Sequence, residues 1–218
     1  MIEFLTDPTT IRICGVAGSL VALLGALAAG LAYRGRSGEP YLLLNHFISE
    51  LGEIGVSRLA WAFNLGLIAA GLLIIPFCLG LGLRISGTWA WLGLVTGIAA
   101  ALALAGVGIY PMNNLSPHVR AAQSFFRLGL AMILLFSLAI LLQPAGDTRV
   151  PIRVAWAGVP AILAYANFLL YSGLAFRSTG ESISTQMETR PRVWLLAIFE
   201  WLIFLTTIPW FLVISSGL

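Results

Sequence analysis

The sequence predicts an all-α polytopic membrane bundle of six transmembrane helices, with an interfacial or re-entrant helix between helices one and two. Three observations predict it. Of the 218 residues, 59% are hydrophobic and only 10% charged, against roughly 25% charged in an ordinary soluble domain. Six stretches reach the ~20 predominantly apolar residues that a helix needs to cross a hydrocarbon core about 30 Å thick. The polar residues that interrupt those stretches gather toward one end of them.

The six spans are residues 11–33, 59–83, 88–110, 121–142, 154–176 and 193–215. Lipid offers no hydrogen-bond partner to exposed backbone, so each span reads as a helix. An even number places both termini on one side, and residues 1–218 read as a single domain. Asp7-Pro8 and Ser116-Pro117 each set a capping side chain before a proline suited to the first helical position, which predicts the starts of helices one and four. The first span follows an acidic leader, Glu3 and Asp7. It is longer than a secretory signal's apolar region, so it reads as a retained span.

Small residues recur every fourth position in helix one (Gly18, Ala22, Ala26, Gly30) and helix three (Gly93, Gly97, Ala101, Ala105). Such stripes let backbones approach closely in lipid and read as packing seams. All twelve basic residues are arginine. Without lysine there is no Schiff base and no phosphate-binding loop of the P-loop type. Cys14 and Cys78 lie inside apolar runs and read as small hydrophobes. Nothing in the chain points to nucleic acid.

The link between spans one and two, residues 34–58, is too apolar for a solvated loop and too short to cross and return. It reads as an interfacial or re-entrant helix carrying a polar motif. On an α-helix His46, Ser49, Glu50 and Glu53 fall at i, i+3, i+4 and i+7, on one face. The set could act as acid and base, with His118 arriving from the loop before helix four. His46, Glu50, Glu53 and His118 could equally hold a divalent metal. The bland reading is a wet face making ion pairs to Arg58 or Arg120. A haem between the two histidines is disfavoured, because both lie near the interface. The last loop, residues 177–192, carries two helix-start patterns, Ser178 with Glu181 and Thr185 with Glu188.

Intramembrane polar residues are expensive, so their placement points to a site. Asn64, Gln123, Arg127, Asn167 and Glu200 all lie toward the face that carries the odd-numbered loops, with Arg58 and Arg120 at its rim. This predicts a polar cavity open to one membrane surface. Channels and alternating-access carriers more naturally show polar residues through the whole depth. Arg127 and Glu200 could pair as a clip between helices four and six. Alternatively Arg127 and Arg120, with Gln123 between them, could receive a phosphate or carboxylate head group.

The run Asn45-His46-Phe47-Ile48-Ser49-Glu50-Leu51-Gly52-Glu53, then Phe63-Asn64, Gly108-Ile109-Tyr110-Pro111, His118 and Phe125-Phe126, resembles the signature of the DUF998 family of bacterial and archaeal membrane proteins. The match spans most of residues 45–130. It implies six helices and a shared polar site in a prokaryotic membrane, with no settled activity. The Ile-Ser-Glu-Leu-Gly element is also similar to one in the first loop of the Frag1/DRAM/Sfk1 family, whose members are tied to lipid and membrane processes.

Eight arginines on the polar face against four opposite would place that face in the cytoplasm. The second resemblance would place the first loop outside, and the two remain open. The expected function is binding of a membrane lipid or other amphiphile, with lipid hydrolysis or group transfer as the sharper version. The alternatives are a non-catalytic accessory subunit packed on membrane-protein partners or on its own copies, then a small-solute transporter.

Overall fold

The computed structural model describes residues 2–144, 146–179 and 190–218. Its helices are α1 (Ile2–Thr6), α2 (Pro8–Ala32), α3 (Ala60–Ile85), α4 (Thr88–Ile109), α5 (Leu115–Leu141), α6 (Gly158–Thr179) and α7 (Leu195–Ser216). Two 3-10 runs, Ile48–Gly52 and Ile152–Ala157, complete the regular structure, and there is no β-strand among the described residues. Six helices are long and apolar enough to cross a membrane, the fifth counted as Ile152–Leu174 with its leading 3-10 run. The all-α six-span architecture expected from hydropathy is therefore present.

Local chemistry explains the boundaries. Asp7 caps α2, its carboxylate accepting the Thr10 N–H at 2.9 Å, with Pro8 at the first helical position. The expectation for Ser116 is corrected. The helix α5 begins two residues earlier, at Leu115, with Asn114 at its cap position. Pro117 then falls in the first turn, where backbone N–H groups have no intrahelical acceptor, so its missing donor costs nothing.

Helices α2 to α5 form a close-packed array of sequential neighbours. A Cβ on Gly25 would lie 2.7 Å from the Ala62 carbonyl oxygen, and one on Gly71 2.5 Å from that of Ala101. Both seams exist because glycine leaves room for a facing backbone. The helix-three stripe packs as expected, with Ala101 and Ala105 against Gly71 and Gly97 against Cys78. In α2 the seam runs through Gly18 and Gly25, while Gly30 only touches Leu51.

Helices α6 and α7 pack on each other, α6 also against α5 and α7 against α2. The backbones of α5 and α7 share almost no close packing among the described residues. At the end distant from the 34–58 link the gap is filled by Phe77, Phe136, Trp210 and Phe211, whose rings meet at 4.9 to 6.4 Å. At the same end Arg12 donates to the Ser215 carbonyl, so the start of α2 and the end of α7 meet there. The other half of the gap stays open, and it holds the site.

Candidate functional site

The 34–58 link folds as a cover over the open end of the bundle, with residues 46–53 all buried. Its backbone is held by side chains from distant elements. Tyr41 donates to the Phe47 carbonyl at 2.8 Å and accepts from the Trp201 indole N–H at 2.8 Å. Asn64 donates to the Gly52 carbonyl at 2.9 Å. Glu200 accepts the Ile48 N–H at 2.9 Å, and Glu50 the Phe47 N–H at 2.8 Å. Asn113 pairs both ways with the Ile54 backbone, at 2.7 and 2.8 Å.

The α-helical face expected for His46, Ser49, Glu50 and Glu53 is not formed. The run is a five-residue 3-10 helix, Ile48–Gly52, with His46 ahead of it. At three residues per turn, positions i and i+3 eclipse while i and i+1 diverge by about 120°. Glu50 and Glu53 accordingly share one polar pocket, while Ser49 lines a different cavity.

The polar pocket, about 480 Å³, is lined by Tyr33, Arg36, Glu39, Glu50, Glu53 and Arg190 among others. Arg190 grips Glu50 with two parallel hydrogen bonds of 2.9 and 2.8 Å and donates to the Asn45 carbonyl at 2.7 Å. Burial is the largest single influence and opposes the Arg190 charge, but the hydrogen bonds and charge of Glu50, with Tyr33 and Glu39, together raise the guanidinium above its ordinary range. Glu53 pairs with Arg36. These partners replace the Arg58 and Arg120 suggested by proximity in sequence, and both of those side chains are exposed.

His46 packs against both Tyr33 and Tyr41, its ring centre 5.5 and 5.1 Å from theirs. Its Nδ1 meets the Asn45 side-chain oxygen at 2.9 Å, and its Nε2 is buried without a partner among the described residues. Burial pushes the imidazole below its ordinary pKa; Glu50 opposes that shift and Arg190 reinforces it. His118 is used differently. Its Nδ1 faces the Tyr110 carbonyl at 2.7 Å, and a carbonyl only accepts. The proton is therefore on Nδ1, and Nε2 presents a lone pair. The metal set is corrected on this geometry. His46, Glu50, Glu53 and His118 have separate partners, and no three His, Cys, Asp or Glu side chains gather as a metal site among the described residues.

The second cavity, about 340 Å³, lies between α5, α6, α7 and the cover. Ser49, His118, Gln123, Arg127 and Glu200 are its principal polar lining. Arg127 and Gly173, both exposed, mark its mouth between α5 and α6. Through Ala122, Phe126 and Glu200 it abuts an apolar space of about 90 Å³ between α2, α3, α4, α5 and α7.

The clip expected between Arg127 and Glu200 is absent. Arg127 donates to the Gln123 side-chain oxygen at 3.2 Å, and Glu200 holds the cover through Ile48. Arg58, Arg120 and Asn167 are exposed, Asn167 donating to the Leu163 carbonyl of its own helix, and Asn64 braces the cover. Arg36 and Arg190, read from sequence only as loop charges, carry the ion pairs. No local signal marks them, since Arg190 lies 140 residues from Glu50. The pattern Thr185 with Glu188 lies outside the described residues, as does Glu181, the partner of Ser178.

Six apolar helices and a cavity opening sideways from the bundle define an integral membrane protein. The chain belongs to the family described as protein of unknown function (DUF998), which it matches over residues 16–217. No curated protein and no solved structure matches it.

Proposed function

We propose that the protein binds a membrane amphiphile with a phosphate-bearing head group, admitted from one leaflet between α5 and α6, in the cytoplasmic membrane of a bacterium or archaeon. Arg127 carries the reading. It lies 127 − 115 = 12 residues into α5, about 18 Å along the helix at 1.5 Å per residue. It is exposed there, and its one hydrogen-bond partner among the described residues is the neutral Gln123. A guanidinium inside a span is costly without a counter-charge, and its planar fork of donors fits the oxygens of a lipid phosphate, as it does those of a carboxylate.

The adjoining apolar space supplies room for part of a hydrocarbon chain. Of the residues considered for chemistry, Ser49 and His118 face this cavity, while Glu50 and Glu53 are engaged by arginines. The reading is therefore one of binding.

A photoactivatable phospholipid tests the site. Crosslinks should concentrate on residues 123–127 and 168–173. Labelling spread evenly over the outer faces, or a co-purifying subunit covering the mouth, would favour the accessory-subunit reading instead.

A further inference from the structure

The unlike charges on the cavity wall stay apart, and that separation suggests the rest of the ligand. Cationic donors come from one side, where Arg127 is braced by the Gln123 oxygen. Acceptors line other parts of the wall. His118 presents its Nε2 lone pair because Nδ1–H is committed to Tyr110. Ser49 lies 3.4 Å from the Met112 sulfur and its hydroxyl also donates to Glu200, which leaves its oxygen lone pairs free. Glu200 supplies a carboxylate that accepts the Ile48 N–H at 2.9 Å and also accepts from Ser49. All three acceptors line the same cavity, from α5, the cover and α7 respectively.

The heights agree. Phe126 meets Phe168 at 4.3 Å between ring centres, and Tyr171 meets Phe199 at 5.6 Å. Measured along α6, the levels of Arg127 and Glu200 thus differ by about three residues, or ~4.5 Å. That is the scale of a compact head group bearing both charges.

We propose that the cavity recognises a zwitterionic head group, with its phosphate on Arg127 and Gln123 and its primary ammonium on Glu200, His118 and Ser49. Three acceptors match the three donors of a primary ammonium. A trimethylated amine has no donor to offer, and a polyol phosphate brings no cation to Glu200. This inference rests on the amphiphile-binding reading.

The test is native mass spectrometry of the intact chain with an equimolar mixture of phosphatidylethanolamine, phosphatidylcholine and phosphatidylglycerol of identical acyl chains. Wild type should retain the ethanolamine lipid over each of the others by at least about tenfold, as expected when polar groups would otherwise go unpaired. Glu200→Gln keeps an oxygen to accept from Ile48, and it should bring that preference to within about twofold. Equal retention of ethanolamine and choline lipids, or preference for the glycerol lipid, with binding still dependent on Arg127, would overturn the ammonium assignment and leave the amphiphile reading standing. Binding of all three that ignores Arg127→Gln would overturn both. The wild-type comparison needs no variant to fold.

Discussion

Arg190 holds Glu50 across 140 residues of sequence, with its two Nη atoms 2.9 and 2.8 Å from the two carboxylate oxygens. The Glu50 side chain is 2% exposed. Removing one partner of such a pair strands the other charge, a loss of about 3–5 kcal/mol. Arg190→Ala should therefore lower the unfolding temperature in detergent well below that of Arg36→Ala, whose side chain is 73% exposed. Adding Glu50→Gln to Arg190→Ala should recover part of the loss. Equal effects of the two arginine substitutions would show that the clasp does not hold the cover.

His46 makes stability depend on pH. Its folded pKa lies below the ordinary 6.5 because it is buried, with Glu50 opposing and Arg190 reinforcing the shift and Tyr33 and Tyr41 packed beside it. The unfolded chain thus takes up the proton first as pH falls. The stabilisation is fully present above pH 6.5 and is lost as pH drops through the depressed folded value. Unfolding temperatures measured from pH 8 downward should fall below about pH 6.5, and His46→Gln should flatten that decline. An unchanged slope in the variant would remove His46 as its source.

Gly52 and Gly30 separate close approach from mere smallness. A Cβ on Gly52 would stand 2.2 Å from the Asn64 side-chain oxygen and 3.0 Å from Phe63, while one on Gly30 meets only Leu51 at 4.0 Å. Gly52→Ala should cost about 1–3 kcal/mol, the usual range for forcing atoms into a packed site. Gly30→Ala should be neutral or slightly stabilising in its helix. Thermal unfolding of the two single variants decides; equal tolerance would contradict the described contact.

Ala122 lies on the wall common to the polar cavity and the apolar space. Ala122→Phe should obstruct their junction and weaken retention of long-chain lipids more than of short-chain ones carrying the same head group. Native mass spectra across a chain-length series would show this, and a loss independent of chain length would argue against hydrocarbon entering there.

The spans were readable from sequence because lipid fixes their length and composition, and Asp7-Pro8 fixed one boundary through a local cap. One-sided polarity was readable for the same reason: Gln123, Arg127 and Glu200 do meet at one cavity. The interior of the cover was not. A 3-10 turn and an α-helix over residues 48–52 differ by a few side-chain bonds, and the deciding partners, Glu200 and Arg190, lie some 140 to 152 residues away. Sequence proximity favoured Arg58 and Arg120 for the carboxylates, but both are exposed and the partners are Arg36 and Arg190. Asn167 lies within a span yet is exposed, because position along a helix says nothing of rotation about it.

The central claim is that Arg127 receives a lipid phosphate, and the most direct measurement is bound phospholipid per chain in gently purified wild type and Arg127→Gln. The account predicts about one tightly held phospholipid on wild type and at least a roughly tenfold lower occupancy in the variant, as befits loss of a charge-assisted bidentate contact. Equal occupancy in the two proteins, with folding unchanged, would contradict it.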